Sequence, residues 1–239
     1  MIIAANFKTN MTRKVTAGYL EVLEAFIAEN GITQQVMVFP PLTALDDFNG
    51  KASVGAQNAY PVEKGAFTGE VGLEQLNEFG IDTILIGHSE RRHILGESQE
   101  SIADKFAFFK EQGFTIVYCI GEPLEVREEG NDALMAYLDT QFVGIDLGYE
   151  KLIIAYEPVW AIGTGLTPSN SDVELIHGAL RQKISKPLLY GGSVKANNAA
   201  EIMALNNVDG ILVGGASLYV EHFCKMIEDA QKLTNEGEK

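Results

Sequence analysis

The sequence predicts an α/β protein, a single (β/α)8 barrel with a parallel eight-stranded core. Short apolar runs of strand length recur along the whole chain and alternate with stretches of helical periodicity. Eight such pairs in 239 residues match the usual size of this barrel. No linker, low-complexity tract or change of composition divides the chain, so residues 1–239 are predicted to form one domain.

Each predicted strand is almost continuously apolar, as expected when helices cover a parallel sheet. An open doubly wound sheet is the alternative, but it normally has fewer strands and a G-x-G-x-x-G turn after the first. Here the first strand ends in Asn-Phe-Lys, and Gly163-Thr164-Gly165 lacks the third glycine. The predicted strands are residues 2–6, 36–39, 53–57, 83–87, 114–119, 151–156, 188–191 and 210–213.

The stretches between the strands carry helix start and stop signals. Ser98 and Ser169 are suitable N-cap residues, because their hydroxyl oxygens can accept a free backbone N–H. Gly31 and Gly113 follow apolar-periodic stretches and are typical of helix ends. The predicted helices are residues 14–29, 102–112, 173–184 and a last helix from about 217 to about 232.

Composition excludes several classes of partner. The formal net charge of −15 argues against nucleic acid and anionic membranes, which need basic surfaces. No apolar run reaches membrane-spanning length, and the first residues lack the basic region of a signal peptide. Cys119 and Cys224 are far apart and form no C-x-x-C pair, which favours a cytoplasmic protein without structural disulfides or zinc.

The most informative segment follows the sixth predicted strand. Glu157 comes directly after that strand, where (β/α)8 enzymes place catalytic groups, and Pro158 ends the ladder. A short, mostly apolar segment with Gly163 and Gly165 comes next, and its backbone N–H groups could close over an anion. The alternative is a plain turn with an exposed carboxylate.

Polar residues also follow the first and fourth strands. Asn6 and Lys8 are predicted on one side of the pleat, with a solvated surface lysine as the alternative. His88 is predicted to be a neutral imidazole at a helix start, or else a histidine bonded to nearby backbone. A serine-hydrolase elbow is disfavoured because Arg91 stands where G-x-S-x-G needs glycine. Glu90 is predicted to pair with a nearby cation.

Glycine-rich turns follow the last three strands. They are 163–165, 191–193 and 214–217, and the last two contain Gly-Gly pairs. Glycine lets backbone N–H groups approach an anion closely, and barrels often bind phosphate with the loops after strands seven and eight. The pattern therefore predicts a phosphate site, although a single Gly-Gly pair is more often only a turn.

Together these segments resemble the triosephosphate isomerase family over nearly the whole chain, and the resemblance implies the TIM barrel fold. The implied reaction interconverts dihydroxyacetone phosphate and glyceraldehyde 3-phosphate through an enediol(ate), in glycolysis and gluconeogenesis. This family is itself the standard example of a glutamate base beside a neutral histidine. The matching segments are residues 6–8, 86–92, 119–122, 155–165, 190–194 and 213–216.

The resemblance also implies a role for each site residue. Glu157 is the base, His88 polarises the carbonyl, Lys8 supplies positive charge and Asn6 orients the substrate. Neither cofactor nor metal is needed. The implied phosphate ligands are Asn6, Lys8, Gly163, Ser193, Gly214 and Gly215, and the implied lid is Trp160, Ala161, Ile162, Gly163, Thr164 and Gly165.

A further implication is a homodimer. The segment around Phe67 and Thr68 resembles the family's protruding loop, which docks into a partner subunit; its alternative is a surface loop. Departures from the family are Phe7 and Thr9, where tryptophan and methionine are usual, and a trimmed region over residues 127–148. Neither touches a chemical role.

Two rival functions remain open on the residues alone. Another sugar-phosphate isomerase or synthase would share the last two glycine turns, but not Glu157 with the Pro-Val-Trp segment. A barrel kept as a binding scaffold would be expected to have lost Lys8, His88 or Glu157, and all three are present.

Overall fold

A computed structural model describes residues 1–161 and 168–237. All strand pairs in it are parallel, and the sheet order is β3-β2-β1-β8-β7-β6-β5-β4. The strands are β1 (Ile2–Asn6), β2 (Gln35–Phe39), β3 (Ser53–Val54), β4 (Thr83–Ile86), β5 (Thr115–Ile120), β6 (Leu152–Tyr156), β7 (Leu188–Tyr190) and β8 (Gly210–Val213).

The barrel closes between β3 and β4. A parallel bridge joins Ala56 to Ile84. The Ala56 N–H donates to the Thr83 carbonyl at 2.9 Å, and the Leu85 N–H donates to the Ala56 carbonyl at 2.9 Å. The predicted eight-stranded parallel (β/α)8 barrel is thus confirmed, although β3 is shorter than the predicted residues 53–57.

The helices confirm the predicted caps but not every boundary. Ser98 Oγ accepts the Ser101 N–H at 3.2 Å, and Ser169 Oγ accepts the Asp172 N–H at 3.2 Å. The described helices are α1 (Arg13–Glu29), α2 (Leu73–Glu78), α3 (Ser89–His93), α4 (Gln99–Glu111), α5 (Leu124–Glu128), α6 (Asn131–Thr140), α7 (Asn170–Arg181), α8 (Ala199–Met203) and α9 (Val220–Gly237).

These elements depart from a regular alternation of one strand and one helix. Between β2 and β3 the chain forms only a 3₁₀ helix, Leu42–Ala44. Another 3₁₀ helix, Gly215–Leu218, precedes α9, so the last helix begins three residues later than expected. Within the described ranges, none of the helices has the length and apolar character needed to cross a membrane.

Two apolar layers hold the barrel together, because successive side chains of a strand point to opposite faces. From β1, Ile2 and Ala4 point into the barrel, where they meet Met37 and Leu212. Ile3 points outwards into the larger layer beneath the helices. This packing fixes the strand ends, and therefore the side chains that follow them.

One polar side chain in the outer layer has a strongly shifted pKa. His177 is fully buried in α7, its Nδ1 lies 3.1 Å from the Asn207 carbonyl, and its Nε2 has no partner among the described residues. Burial lowers the pKa of His177 to about 4, because a charged imidazolium would be desolvated.

His177 is therefore expected to make folding sensitive to acid. The unfolded chain takes up this proton near pH 6.5, whereas the folded chain resists it until about pH 4, so stability falls as pH drops across that window. The loss attributable to this group is about 3 kcal/mol. Urea titrations between pH 7 and 4 should show a shallower pH dependence for His177→Asn than for the parent. Exposed His222→Asn is the control, and equal slopes for all three proteins would contradict the assignment.

Candidate active site

A cavity of about 500 Å³ opens where the carboxyl ends of the strands converge. It brings together side chains from β1, β4 and β6 and the glycine turns after β7 and β8. The predicted site residues that line it are Asn6, Lys8, His88, Glu157, Ser193, Gly214 and Gly215.

Glu157 and His88 contact each other at the base of this cavity. Both are almost fully buried, and His88 Nε2 lies 3.0 Å from Glu157 Oε1. The other carboxylate oxygen accepts the Ser89 N–H at 2.9 Å. The alternative of an exposed carboxylate in a plain turn is therefore wrong.

The hydrogen bonds assign one proton to the His88 ring. His88 is the N-cap of α3, and its Nδ1 accepts the Glu90 N–H at 3.2 Å. Because a nitrogen that accepts a hydrogen bond carries no proton, the ring proton lies on Nε2, facing Glu157. The predicted helix start and the predicted bond to local backbone are thus both present.

The two groups shift each other's pKa. Burial disfavours the imidazolium of His88, but the Glu157 carboxylate outweighs burial and raises the pKa of His88. For Glu157, burial is likewise opposed by the His88 ring and the Ser89 N–H, and the pKa falls below its ordinary value. Glu157 is therefore ionised at neutral pH.

Lys8 reaches the cavity by a different route from the one predicted. It lies beyond β1 in a left-handed conformation, with φ +52°. Its N–H donates to Asn6 Oδ1 at 2.9 Å, and its carbonyl accepts Gln57 Nε2 at 2.7 Å. Lys8 Nζ forms an ion pair with Glu90 Oε1 at 2.6 Å, which confirms the predicted cation partner of Glu90. A turn held by Asn6 and Gln57, rather than strand alternation, therefore places this lysine.

The two glycine turns present backbone donors to the cavity. The N–H groups of Ser193, Gly214 and Gly215 have no acceptor within the described part of the chain. Gly191 makes room for the candidate base, because a Cβ there would stand 2.9 Å from Glu157 Cγ. A Cβ at Gly214 would stand 3.2 Å from Lys8 Cε.

Two side chains that sequence reasoning missed hold these turns. Asn198 Oδ1 accepts the Lys195 N–H at 2.7 Å, and its Nδ2 donates to the Ser193 carbonyl at 3.2 Å. Ser217 Oγ donates to the Gly214 carbonyl at 2.7 Å. Each side chain therefore holds one carbonyl of its turn by a hydrogen bond. An Asn or Ser a few residues after a glycine pair is a common turn residue, so the sequence signal is weak.

The first residues of the predicted lid lie next to a buried carboxylate, Glu122. Trp160 and Ala161 lie in a 3₁₀ helix, Val159–Ala161, and Trp160 Nε1 donates to Glu122 Oε1 at 2.9 Å. Burial raises the pKa of Glu122, which also accepts the Tyr156 hydroxyl at 3.0 Å. The remaining predicted lid residues, Ile162, Gly163, Thr164 and Gly165, lie outside the described residues.

No group of three or more His, Cys, Asp or Glu side chains in residues 1–161 and 168–235 is arranged to hold a metal ion. The predicted site instead combines a buried carboxylate, an imidazole, a lysine and unpaired backbone N–H groups. The N–H and ammonium donors suit an anionic ligand, and the carboxylate can accept a proton from it and return it.

The fold and the cavity thus define a (β/α)8 barrel with a candidate anion site beside a carboxylate and an imidazole. The model of the family "Triosephosphate isomerase" matches residues 1–230. The triosephosphate isomerase of Sulfurimonas denitrificans is 58% identical over 239 residues, which is 100% of each chain. That of Sulfurovum sp. is 59% identical over 227 residues, 95% of this chain and 99% of the relative.

A relative from Helicobacter hepaticus with the same name is 49% identical over 229 residues, 95% of this chain and 97% of the relative. The chain belongs to the triosephosphate isomerase family. The family implies an isomerase that acts in glycolysis.

Proposed function

We propose that the protein interconverts dihydroxyacetone phosphate and glyceraldehyde 3-phosphate. The observation that carries this proposal is the buried Glu157 carboxylate 3.0 Å from His88 Nε2, in a cavity with unpaired backbone N–H groups. The reaction moves a proton between neighbouring carbons and between their oxygens, so both a base and a hydrogen-bonding acid are required.

Glu157 takes the proton from one carbon and returns it to the next. It is ionised and buried, and such a carboxylate is a stronger base than a solvated one once its partner moves away. His88 donates from Nε2 to the carbonyl oxygen and then moves protons between the two oxygens. The Nδ1 contact with the Glu90 N–H keeps the ring in the tautomer that can donate.

Lys8 stabilises negative charge on the enediolate and the phosphate, while Asn6 holds the Lys8 backbone in place. The N–H groups of Ser193, Gly214 and Gly215 bind the phosphate, and we extend this role to Gly163. The lid that starts at Trp160 excludes water from the enediolate, which would otherwise lose phosphate.

A coupled assay tests the proposal directly. Purified protein is supplied with glyceraldehyde 3-phosphate, and dihydroxyacetone phosphate is reduced by an NADH-dependent glycerol-phosphate dehydrogenase. We expect NADH consumption that saturates with substrate and is inhibited competitively by inorganic sulfate. A folded protein without turnover would refute the function.

We further propose a homodimer in which the loop around Phe67 and Thr68 enters a second cavity of the partner. That cavity has a volume of about 480 Å³ and is lined by Ile94 and Leu95 together with Lys8 and His88. Ile94 is 75% exposed and Leu95 is 66% exposed, and large exposed apolar side chains favour an interface. Phe67 is half exposed and packs on Tyr60, with ring centroids 4.7 Å apart.

Ile94→Asp is expected to give monomers and to lower kcat at least about tenfold, since the loop that completes the neighbouring site is lost. Val143→Asp is the matched control, because Val143 is 66% exposed and does not line either cavity. Sedimentation velocity and the coupled assay are the measurements. A dimeric, fully active Ile94→Asp protein would contradict the proposed interface.

We also propose a cytoplasmic location. Cys119 and Cys224 are both buried free thiols, which is typical of proteins in a reducing compartment.

A further inference from the structure

We infer that Lys195 attracts the anionic substrate to the mouth of the cavity, a role that rests on the function proposed above. Lys195 lines the cavity two residues after Ser193, and it is exposed to solvent. The family resemblance implied Lys8 as the source of positive charge, and Lys195 is a second lysine at the same cavity.

Of the two lysines that line the cavity, Lys195 forms no ion pair with a described side chain. The charged side chains that line it in the described residues are Lys8, Lys195 and the carboxylate of Glu157. Lys8 is bound to Glu90 at 2.6 Å, so its charge is largely offset before substrate arrives. Among the side chains of residues 1–161 and 168–235, no carboxylate lies within 4.0 Å of the Lys195 ammonium. Residues 162–167 add no charged side chain.

The backbone of Lys195 is held beside the phosphate donors. Asn198 accepts the Lys195 N–H at 2.7 Å and donates to the Ser193 carbonyl at 3.2 Å. One amide therefore clamps both ends of the segment 193–195. The ammonium starts from a fixed point next to the Ser193 N–H, yet stays hydrated and acts over a distance.

The negative net charge of the protein increases the effect of a local positive charge at the cavity. With a net charge of −15, the molecule repels a phosphate monoester at long range. A local cation at the mouth opposes that repulsion and raises the rate of productive encounter. Because the ammonium is exposed, salt must screen the effect: the Debye length is about 30 Å at 0.01 M and about 3 Å at 1 M.

The test is the ionic-strength dependence of kcat/KM for glyceraldehyde 3-phosphate in the full-length protein. Variants are Lys195→Gln, Lys195→Arg, Lys195→Glu and the matched control Lys186→Gln. Lys186 precedes β7, whereas Lys195 follows it, so the control removes the same charge at the opposite end of the same strand. Lys186, too, has no carboxylate within 4.0 Å in the described part of the chain.

We expect Lys195→Gln to lower kcat/KM about fivefold at ~10 mM ionic strength and less than about twofold at ~0.5 M, with kcat unchanged. Lys195→Glu should lower kcat/KM further than Lys195→Gln at low salt, and Lys195→Arg should keep most of the parent kcat/KM. Lys186→Gln should change kcat/KM much less than Lys195→Gln.

Coinciding salt curves for Lys195→Gln and Lys186→Gln would overturn the inference, and so would a loss that persists at high salt or appears in kcat. The proposed function has a separate failure: a parent protein that does not isomerise triose phosphates at all.

Discussion

Glu157→Gln is expected to lower kcat by about 10²–10⁴-fold or more, the range for loss of a general base. The amide has almost the shape of the carboxylate and can still accept the Ser89 N–H. It cannot take a proton from carbon at neutral pH. Single-turnover and steady-state measurements with glyceraldehyde 3-phosphate report the loss.

Binding separates this explanation from a folding defect. Affinity for a phosphate-bearing analogue should change far less than kcat, because the unpaired N–H groups of Ser193, Gly214 and Gly215 are untouched. The matched control is Glu150→Gln, an exposed glutamate that precedes β6, whereas Glu157 follows it. Turnover close to that of the parent in Glu157→Gln would remove Glu157 from the mechanism.

Lys8→Met is expected to raise KM strongly and to lower kcat, with a combined loss in kcat/KM of about 10²-fold or more. Two effects add together. The site loses the cation that attracts the substrate, and the Glu90 carboxylate loses the ion pair that it forms with Lys8 at 2.6 Å. An unpaired carboxylate repels the phosphate and the developing enediolate.

A double-mutant cycle separates these effects. Lys8→Met combined with Glu90→Gln should recover several-fold of the lost kcat/KM, because the repulsive charge is gone. Glu90→Gln alone should have a kcat/KM close to that of the parent and a KM that is equal or slightly lower. Thermal unfolding of each variant checks that replacing Lys8, whose φ is +52°, does not destabilise the fold. An unchanged KM in Lys8→Met would mean that this lysine is structural.

Much of the architecture was predictable because it is local. The β strands are short, almost continuously apolar runs, and the caps at Ser98 and Ser169 are side chains that bond within their own first turn. The candidate base could be found for the same reason, since Glu157 directly follows a strand that must end at the mouth of a barrel. That residues 1–239 form one domain stays a prediction.

Other parts could not be predicted locally. The alternation of side chains along β1 predicted that Lys8 lies on the same side as Asn6. In the structure Lys8 is placed by a left-handed turn bonded to Gln57, 49 residues away. Asn198 and Ser217 hold the glycine turns through side-chain hydrogen bonds, for which the sequence carries only a weak signal. The short β3 reflects barrel closure by one bridge rather than a full ladder.

The sequence by itself determined the barrel, its strand ends and the types of chemical group that meet there, because each follows from periodicity or from the order of residues along the chain. Only the tertiary structure decided the partners. The Glu157 contact with His88 and the Lys8 ion pair with Glu90 depend on distances between distant segments. Such distances are set when the sheet closes and its strand ends converge, and no local pattern encodes them.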